Sequence, residues 1–364
     1  MRISRVLPLV MAVAIGGKLY ATTFTVLPLI MPAGGGSVQG LNNNGQVVGW
    51  TSNGSNFQAY LLSTTLSPVL IPTPAGYVNA VGLGINDSGI VVGRADDGLG
   101  HSIAFVGTPG GSTALPLPAN ATASDGQAIN NSGQVTGEVS FGGLYYAYVG
   151  TTGGVTLLPL PAGAGSTAIT YGYAINTSGQ VAGDYYNGVY QPFTGTTAGT
   201  SVVPLPPECV SDPAARSMND LGQIVGYCSN GTHNVGFLYN GTSSAAIPTL
   251  PGYGEVVITQ GAINNSGTVV GIGFDASFNR AAWMWDSTNG IQALSNLVPA
   301  GWDVQAALGI NNNGQILAQA NSQYVLLDPV GRDGGGAATL PEPGTFGLIG
   351  PMLIGLAGWQ RSRR

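Results

Sequence analysis

Short runs of alternating apolar and polar residues fill most of the chain, and one nonapeptide pattern recurs seven times. Each copy starts with an apolar residue and Asn, passes through two mostly polar residues to Gly, and ends in a largely apolar run. Successive copies start 43 to 47 residues apart, a fixed period that indicates a repeat architecture. The copies are LNNNGQVVG from Leu41, INDSGIVVG from Ile85, INNSGQVTG from Ile129, INTSGQVAG from Ile175, MNDLGQIVG from Met218, INNSGTVVG from Ile263 and INNNGQILA from Ile310.

Each nonapeptide predicts the tip of a β-hairpin. Asn suits the turn because its side chain can bond the backbone two residues further on, and Gly suits the position that needs a positive φ. A third strand follows, usually with an aromatic residue, as in SIAFVG at 102–107. A Pro-Leu segment comes next, such as LPLP at 115–118 or LLPLP at 157–161. Because proline is tolerated mainly on edge strands, this segment is expected to be an outer fourth strand.

Four short strands in each unit of about 45 residues predict an all-β fold, a seven-bladed β-propeller of four-stranded blades. The strand before each nonapeptide is placed innermost, since about ten residues connect each outer strand to it. The segment FTVLPL at 24–29 precedes the first unit, and the last unit lacks a fourth strand. We therefore expect this N-terminal strand to close the last blade. The competing architecture is an open β-solenoid.

Composition supports strands and turns over helices and excludes one class of partner. The chain is 7% charged and contains 59 Gly and 23 Pro residues. Six of its ten basic residues lie near the two ends, so the region between them holds 15 acidic residues against four arginines. Such a region lacks the basic patch that binds phosphate backbones, which excludes nucleic acid as a partner.

The two ends have the character of sorting segments around a central domain at 22–328. Residues 1–21 contain basic residues, a short apolar run and small residues in the order of a secretory signal peptide, with cleavage expected after Ala21. The alternative is a buried N-terminal strand or helix. A Gly-rich linker is expected at 329–340.

The C-terminal residues 341–364 have three parts. A Pro-Glu-Pro motif comes first, a run of about 16 mostly apolar residues follows, and basic residues end the chain. The run predicts a short apolar transmembrane helix with its basic end in the cytoplasm. The alternative is an ordinary single-pass anchor. The motif residues are Pro341, Glu342, Pro343, Arg361, Arg363 and Arg364.

Both cysteines, Cys209 and Cys228, fall in one repeat. Export would place them where disulfides persist, so a bridge between them is expected. The alternative is two small buried residues.

Candidate catalytic and metal-binding residues are few, and we predict no catalytic residue, metal or cofactor. His101 and His233 precede third strands of different units, which favours a repeated packing role. Three glutamates also fall in different units: Glu138, Glu208 and Glu255. Asp87 and Asp220 lie in turns that resemble calcium loops, but these turns carry mostly neutral amides, so a hairpin role is favoured.

Aromatic residues in the connections between units are the candidate ligand contacts. They are Tyr77, Tyr171, Tyr173, Tyr253 and Trp302. Aromatic rings among hydroxyl and amide side chains suit the apolar faces of sugars. The alternative is that these rings pack the connections against the blades.

The repeats resemble the HAF repeats of exported bacterial proteins, whose Ile-Asn-x-x-Gly-x-Val-x-Gly hairpin six copies match well. The namesake His-Ala-Phe strand is poorly kept, with HSIAF at 101–105 its nearest version. The resemblance covers about residues 24–328 and implies export and a propeller-like fold, with no established activity.

The C-terminal end closely resembles the PEP-CTERM sorting signal. This resemblance implies Sec-type export in a Gram-negative bacterium, transient membrane anchoring, and recognition by an exosortase, a membrane cysteine peptidase. Delivery to the cell surface or extracellular matrix would follow.

Two classes of function agree with these features. The preferred one is a non-catalytic surface or matrix protein whose propeller face binds polysaccharide or protein. The alternative is a secreted polysaccharide hydrolase or lyase on a propeller scaffold.

Overall fold

Seven four-stranded antiparallel sheets make up the computed structural model, which describes residues 23–64 and 67–330. Six of the sheets are each one repeat with strands that neighbour one another in chain order, and the seventh combines the last repeat with the N-terminal strand. The chain is therefore a seven-bladed β-propeller, as the repeat spacing predicts.

The first three blades follow one another along the chain. Their strands are β2 Ser37–Leu41, β3 Val47–Ser52, β4 Phe57–Leu62 and β5 Val69–Leu70 in blade 1; β6 Asn79–Ile85, β7 Val91–Asp96, β8 Ser102–Thr108 and β9 Gly111–Ala114 in blade 2; and β10 Ala123–Ile129, β11 Val135–Phe141, β12 Leu144–Thr151 and β13 Gly154–Leu157 in blade 3.

The remaining blades keep this order, and blade 7 takes its fourth strand from the start of the domain. Their strands are β14 Ile169–Ile175, β15 Val181–Tyr186, β16 Tyr190–Thr196 and β17 Gly199–Val202 in blade 4; β18 Ser211–Met218, β19 Ile224–Ser229, β20 Asn234–Tyr239 and β21 Ser244–Ile247 in blade 5; β22 Glu255–Val257, β23 Val269–Phe274, β24 Arg280–Asp286 and β25 Gly290–Ala293 in blade 6; and β26 Val304–Ile310, β27 Ile316–Ala320, β28 Gln323–Pro329 and β1 Phe24–Pro28 in blade 7.

The N-terminal strand β1 closes the ring as the sequence predicts. It pairs antiparallel with β28, from Phe24 opposite Pro329 to Pro28 opposite Val325. Phe24 is buried in the largest hydrophobic cluster, which fixes β1 by packing as well as by hydrogen bonds. The pairing joins the two ends of the domain and covers the outer edge of β28.

The outer strands lie earlier in the sequence than expected. In blades 1 to 6 the fourth strand comes just before the Pro-Leu segment, so placing it on that segment was wrong. In blade 2, the Leu115 N–H bonds the Ala104 carbonyl just beyond β9, and Leu115 is buried. Pro116 follows it and has no N–H to continue the ladder, so the chain leaves the sheet there.

The last glycine of the nonapeptide permits close contact between two strands of a blade. A Cβ built on Gly137 would lie 2.0 Å from the Asp125 carbonyl oxygen of the inner strand β10. The turn glycine has a different role, since Gly133 has a φ of +77°, as the sequence predicts. The two glycines of the repeat therefore meet separate backbone requirements.

A ring of buried asparagines joins the hairpin tips around the central channel. The second residue of every nonapeptide is a buried Asn, and its side chain bonds the backbone of its own turn. At six of the seven seams between these described hairpins, its amide also donates to the equivalent Asn carbonyl of the next blade. The link from Asn311 to Asn42 spans 269 residues and closes the ring.

Helical structure in the described ranges is limited to a 3-10 turn, Leu294–Asn296. No helix there is long and apolar enough to cross a membrane. The predicted C-terminal apolar helix and the signal peptide lie outside the described residues.

Candidate functional site

The residue that follows each nonapeptide lies in the second strand of its blade and differs from copy to copy. It pairs with an inner-strand residue near the end of the blade opposite the hairpin tip, as Glu138 does with Asp125. Three of the seven copies carry a charge here, in a domain with few charges. The seven residues are Trp50, Arg94, Glu138, Asp184, Tyr227, Ile272 and Gln319.

A second variable position lies on the inner strand, two residues before the nonapeptide. In six blades this residue is the extra residue of a β-bulge. A bulge turns its side chain out of the regular alternation, and bulges are common beside binding sites. The six residues are Gln39, Leu83, Gln127, Tyr173, Arg216 and Leu308.

Residues at and beside these positions form a continuous row across blades 3, 4 and 5. The Tyr145 and Tyr171 rings have centroids 5.7 Å apart, and Tyr171 and Tyr173 are nearly parallel at 6.2 Å. The Arg216 guanidinium lies 4.8 Å from the Tyr173 ring centroid and 5.4 Å from that of Tyr227. We call these five residues the tyrosine-arginine row. It combines aromatic surface with a cation that lies between the Tyr173 and Tyr227 rings.

Two carboxyl groups lie directly opposite each other beside this row. Asp125 on β10 and Glu138 on β11 are register partners, and Arg94 Nη1 lies 3.5 Å from Asp125 Oδ2. Burial, together with the nearby Asp125 charge, raises the pKa of Glu138 to about 8. Asp125 Oδ1 and Glu138 Oε2 are each out of contact with solvent and have no hydrogen-bond partner. Glu138 is therefore largely protonated at neutral pH.

A third carboxyl, Asp184, is buried on β15 near Arg216. Its Oδ1 accepts a hydrogen bond from the Ala215 N–H at 2.8 Å. Burial raises the pKa of Asp184 to about 7, against the opposing effects of that hydrogen bond and of the Arg216 charge. Asp184 is thus only partly ionised at pH 7, and its negative charge only partly offsets that of Arg216.

A glutamine from blade 6 reaches across the channel to the row. Gln260 Nε2 donates to the Tyr173 carbonyl at 3.2 Å and approaches Gln127 Oε1 at 3.4 Å. Blade 6 is not a neighbour of blade 3, so this contact crosses the central channel. It supports the inner-strand backbone beneath the row.

The structure divides the five predicted aromatic contacts into two groups. Tyr77, Tyr253 and Trp302 pack against hydrophobic clusters, which agrees with the packing alternative. Tyr171 and Tyr173 lie within the inner strand β14, so their assignment to a connection was wrong. The strand starts at Ile169, earlier than expected, and this places both rings in the tyrosine-arginine row.

Neither predicted histidine has the packing role that their equivalence favoured. His101 is exposed and bonds Asp97 at 2.7 Å within its turn. His233 is also exposed and bonds Asn230 and Thr232. Both precede third strands, but each stabilises an exposed hairpin loop.

The two other predicted glutamates are remote from the acid pair. Glu208 is exposed in the connection before blade 5, and Glu255 accepts a hydrogen bond from Asn234 at 3.0 Å. Neither belongs to the tyrosine-arginine row.

The aspartates of the calcium-like turns bond neighbouring hairpins. The Asp87 carboxylate accepts hydrogen bonds from Asn43 and from the Asn131 amide. Asp220 accepts the Thr177 N–H and the Asn265 amide in the same way. These contacts form a second layer beside the asparagine ring.

Cys209 and Cys228 form a disulfide, with Cα atoms 5.4 Å apart. It ties the connection before blade 5 to β19, beside a groove of about 470 Å³. Exposed apolar residues line the outer part of this groove: Tyr186, Val189, Tyr190 and Val210. The predicted sorting residues Pro341, Glu342, Pro343, Arg361, Arg363 and Arg364 lie outside the described residues.

The fold and the row define a seven-bladed β-propeller with an aromatic and charged region at the channel end opposite the hairpin tips. Its architecture is similar to that of "YCF48 bound to D1 peptide", with a TM-score of 0.51 and 11% identity over 82% of this chain and 95% of that one. It is also similar to puromycin hydrolase, with a TM-score of 0.54 and 13% identity over 80% of this chain.

This chain covers about half, 51%, of the puromycin hydrolase chain. A putative TolB from Agrobacterium tumefaciens matches with a TM-score of 0.42 and 12% identity, over 68% of this chain and 89% of that one. No protein-family model and no curated protein matches the sequence. At these identities the likeness establishes the fold alone.

Proposed function

We propose that this protein is a non-catalytic, exported surface or matrix component that binds polysaccharide through the tyrosine-arginine row. The row itself carries this proposal. Its parallel tyrosines and its stacked guanidinium belong to three consecutive blades and form one surface. Aromatic surface with polar groups at its edge suits a sugar, whose faces are apolar and whose rim carries hydroxyls.

Accessibility supports a binding site at this face. Tyr145 is 39% exposed, and Tyr171 and Tyr173 are half-buried. The nearby exposed rings of Tyr186 and Tyr190 extend the aromatic area toward the groove beside the disulfide. A polymer could therefore contact several sugar-sized positions in succession.

Partial burial of the acid pair favours binding over catalysis. A catalytic carboxyl must reach the bond that it protonates or attacks. The buried oxygens Asp125 Oδ1 and Glu138 Oε2 lie out of contact with solvent. Both residues are partly exposed, but one oxygen of each carboxyl is withdrawn from a substrate at the surface.

A glycan array combined with a polysaccharide hydrolysis screen tests this proposal on the purified protein. We expect binding without turnover, and at least tenfold weaker binding in Tyr171→Ala. A matched control is Ser132→Ala on the hairpin face, which should bind like the wild type. A peptide library is included because a propeller face can also bind protein. Selective peptide capture without glycan binding would contradict the proposal.

The raised pKa of Glu138 supports a second candidate, a polysaccharide hydrolase or lyase. A protonated Glu138 beside the Asp125 carboxyl has the raised pKa expected of a general acid. Turnover that is lost in Glu138→Gln would establish this function. Turnover in neither protein would leave binding as the function.

Export and sorting form the other part of the proposal. The signal-like residues 1–21 and the C-terminal Pro-Glu-Pro signal support Sec-type export, transient anchoring and exosortase processing. Intact mass measurement of the mature protein should show loss of the N-terminal segment and of the C-terminal arginines. Mature protein that keeps Arg361, Arg363 and Arg364 would instead support an ordinary anchor.

A further inference from the structure

Arg216 is a cation without an ionic partner in an acidic domain. Among residues 23–64 and 67–330, ion pairs join Arg94 to Asp125 and His101 to Asp97, and none involves Arg216. Acidic residues outnumber basic ones 15 to 4 between the two sorting segments. The side chain is nevertheless half-buried, so the fold holds a charge that it does not neutralise directly.

Two aromatic rings and a β-bulge hold the Arg216 guanidinium in place. The bulge between Ala215 and Ser217 gives the residue no partner on β19. Its guanidinium lies against Tyr173 and Tyr227, and Nη2 donates to the Tyr227 hydroxyl at 3.2 Å. A guanidinium has five N–H donors in one plane, more than two tyrosine hydroxyls can use. The guanidinium therefore has donors beyond the one that bonds the Tyr227 hydroxyl, and a ligand carboxylate is an acceptor that suits them.

The nearby carboxyls leave the row locally less negative than the domain as a whole. Asp125 pairs with Arg94, and Glu138 is largely protonated at neutral pH. Asp184 is partly protonated and already accepts the Ala215 N–H. At 0.15 M salt, charges more than roughly 8 Å away are largely screened. The low negative charge around the row therefore permits an anionic group to bind at Arg216.

We propose that the tyrosine-arginine row recognises a polysaccharide that carries carboxylates, a uronate polymer, through a charge pair between Arg216 and a sugar carboxylate. This inference rests on the proposed function and names its ligand class. Arg binds carboxylates through paired N–H donors in one plane, and the tyrosines contact the sugar beside that carboxylate. A neutral polysaccharide would leave the guanidinium unpaired.

A dependence on pH follows from the groups that face Arg216. These are Asp184 on β15 and the hydroxyls of Tyr173 and Tyr227, with Glu138, Asp125 and Arg94 further along the same face. Between pH 6 and pH 9, Asp184 and Glu138 become ionised and the site turns negative. Affinity for a uronate oligomer should fall over this range, whereas affinity for a neutral oligomer should not.

Calorimetric titration of the wild-type protein at pH 6 and 0.15 M salt is the first test. The probes are oligomers of galacturonate, mannuronate and guluronate, each compared with its methyl ester, in which the carboxylate charge is removed. We expect at least one free acid to bind about tenfold or more tightly than its ester. Equal binding of acid and ester, or binding of neutral glycans alone, would overturn this inference and leave the proposed function standing. Failure of every glycan would overturn both.

Variants provide the second test. Arg216→Gln should weaken binding of the free acid about 10- to 100-fold, as expected for charge-assisted hydrogen bonds, and should weaken binding of the uncharged ester much less. Arg216→Lys should restore part of the loss. The matched control Arg280→Gln removes an exposed arginine of blade 6 and should bind within twofold of the wild type. Thermal melting of each variant confirms folding. Full affinity in a folded Arg216→Gln protein would overturn the inference.

Discussion

At the residue scale, one asparagine per blade joins turn formation to ring closure. Asn130 Oδ1 accepts the N–H groups of Ser132 and Gln134, which holds the hairpin turn. Asn130 Nδ2 donates to the Asn176 carbonyl of the next blade at 2.9 Å. The turn role follows from the sequence, because Asn bonds locally. The link between blades does not, because it joins residues 46 positions apart.

Replacing this asparagine should therefore destabilise the whole domain. Asn130→Ala removes a buried side chain and leaves backbone groups in both turns without partners, at a cost of about 1–3 kcal/mol in the free energy of unfolding. Urea unfolding measures this loss of free energy of unfolding. The control Ser132→Ala alters an exposed residue of the same turn and should change stability by less than about 0.5 kcal/mol. Equal midpoints for the two variants would show that the asparagine ring does not stabilise the fold.

The pKa of Glu138 predicts a dependence of stability on pH. It is about 8 in the folded protein against 4.5 for an unperturbed side chain. Between these values the folded state keeps a proton that the unfolded state has released. The free energy of unfolding should therefore decrease as pH rises from about 4.5 to about 8.

Glu138→Gln removes this titration and should reduce the fall in melting temperature between pH 5 and pH 9. The raised pKa of Asp184 also lowers stability as pH rises. This contribution remains in both the wild type and Glu138→Gln, so the variant keeps a smaller fall in melting temperature. Identical profiles for wild type and variant would contradict the buried, protonated state of Glu138.

Among the charged residues of the site, only Glu138 was considered from the sequence, and Arg94, Asp184 and Arg216 were missed as site residues. The residues that all copies share identify the turns, and they say nothing about the positions that vary between copies. Yet Arg94, Glu138 and Asp184 all follow the last glycine of a nonapeptide, and this recurrence was a usable signal. The contacts of Arg216 could not be predicted, because a β-bulge determines where its side chain lies.

At the element scale, third strands and the ends of inner strands follow directly from the repeat, whereas outer strands and the start of the inner strand β14 do not. An outer strand is two to five residues long and half-exposed, so its hydrophobic pattern is weak. Pro-Leu was the clearest signal nearby, and it marks the exit from the sheet. The closing strand β1 was predictable because an unpaired segment at one end matched a missing strand at the other.

Removing β1 should destabilise the whole domain. Phe24 is buried at its start, and Phe→Ala substitutions in a core cost about 3–5 kcal/mol. Deleting residues 24–31 removes the strand as well, so we expect a lower melting temperature in one cooperative transition. An unchanged melting temperature would show that β1 does not hold blade 7 to the ring.

The disulfide should contribute stability within blade 5. It closes a short loop of 19 residues in sequence separation, for which chain entropy predicts about 3 kcal/mol. The double variant Cys209→Ala with Cys228→Ala should lose a corresponding free energy of unfolding, seen as a lower urea midpoint. The control is reduction of the wild type, which should give the same midpoint as the double variant. A midpoint unchanged by either treatment would contradict a structural bond.

At the scale of the whole molecule, seven similar copies made the architecture predictable and the function difficult to predict. Every copy contributes the same turn chemistry, so errors in one strand do not alter the count of blades. We expect function to depend on the residues that differ between copies. These differences place tyrosines and arginines close together in blades 2 to 5. The similar propellers share the fold at 11–13% identity and so do not identify those differences.

Calorimetric titration with the glycan selected by the array tests the central claim most directly, that this variable face binds the ligand. Tyr171→Ala with Tyr173→Ala should weaken binding at least tenfold, because both contacts with the sugar are lost. Ser266→Ala on the hairpin face should keep wild-type affinity. Unchanged affinity in the folded double tyrosine variant, or loss of binding in Ser266→Ala, would contradict the assignment of the binding face.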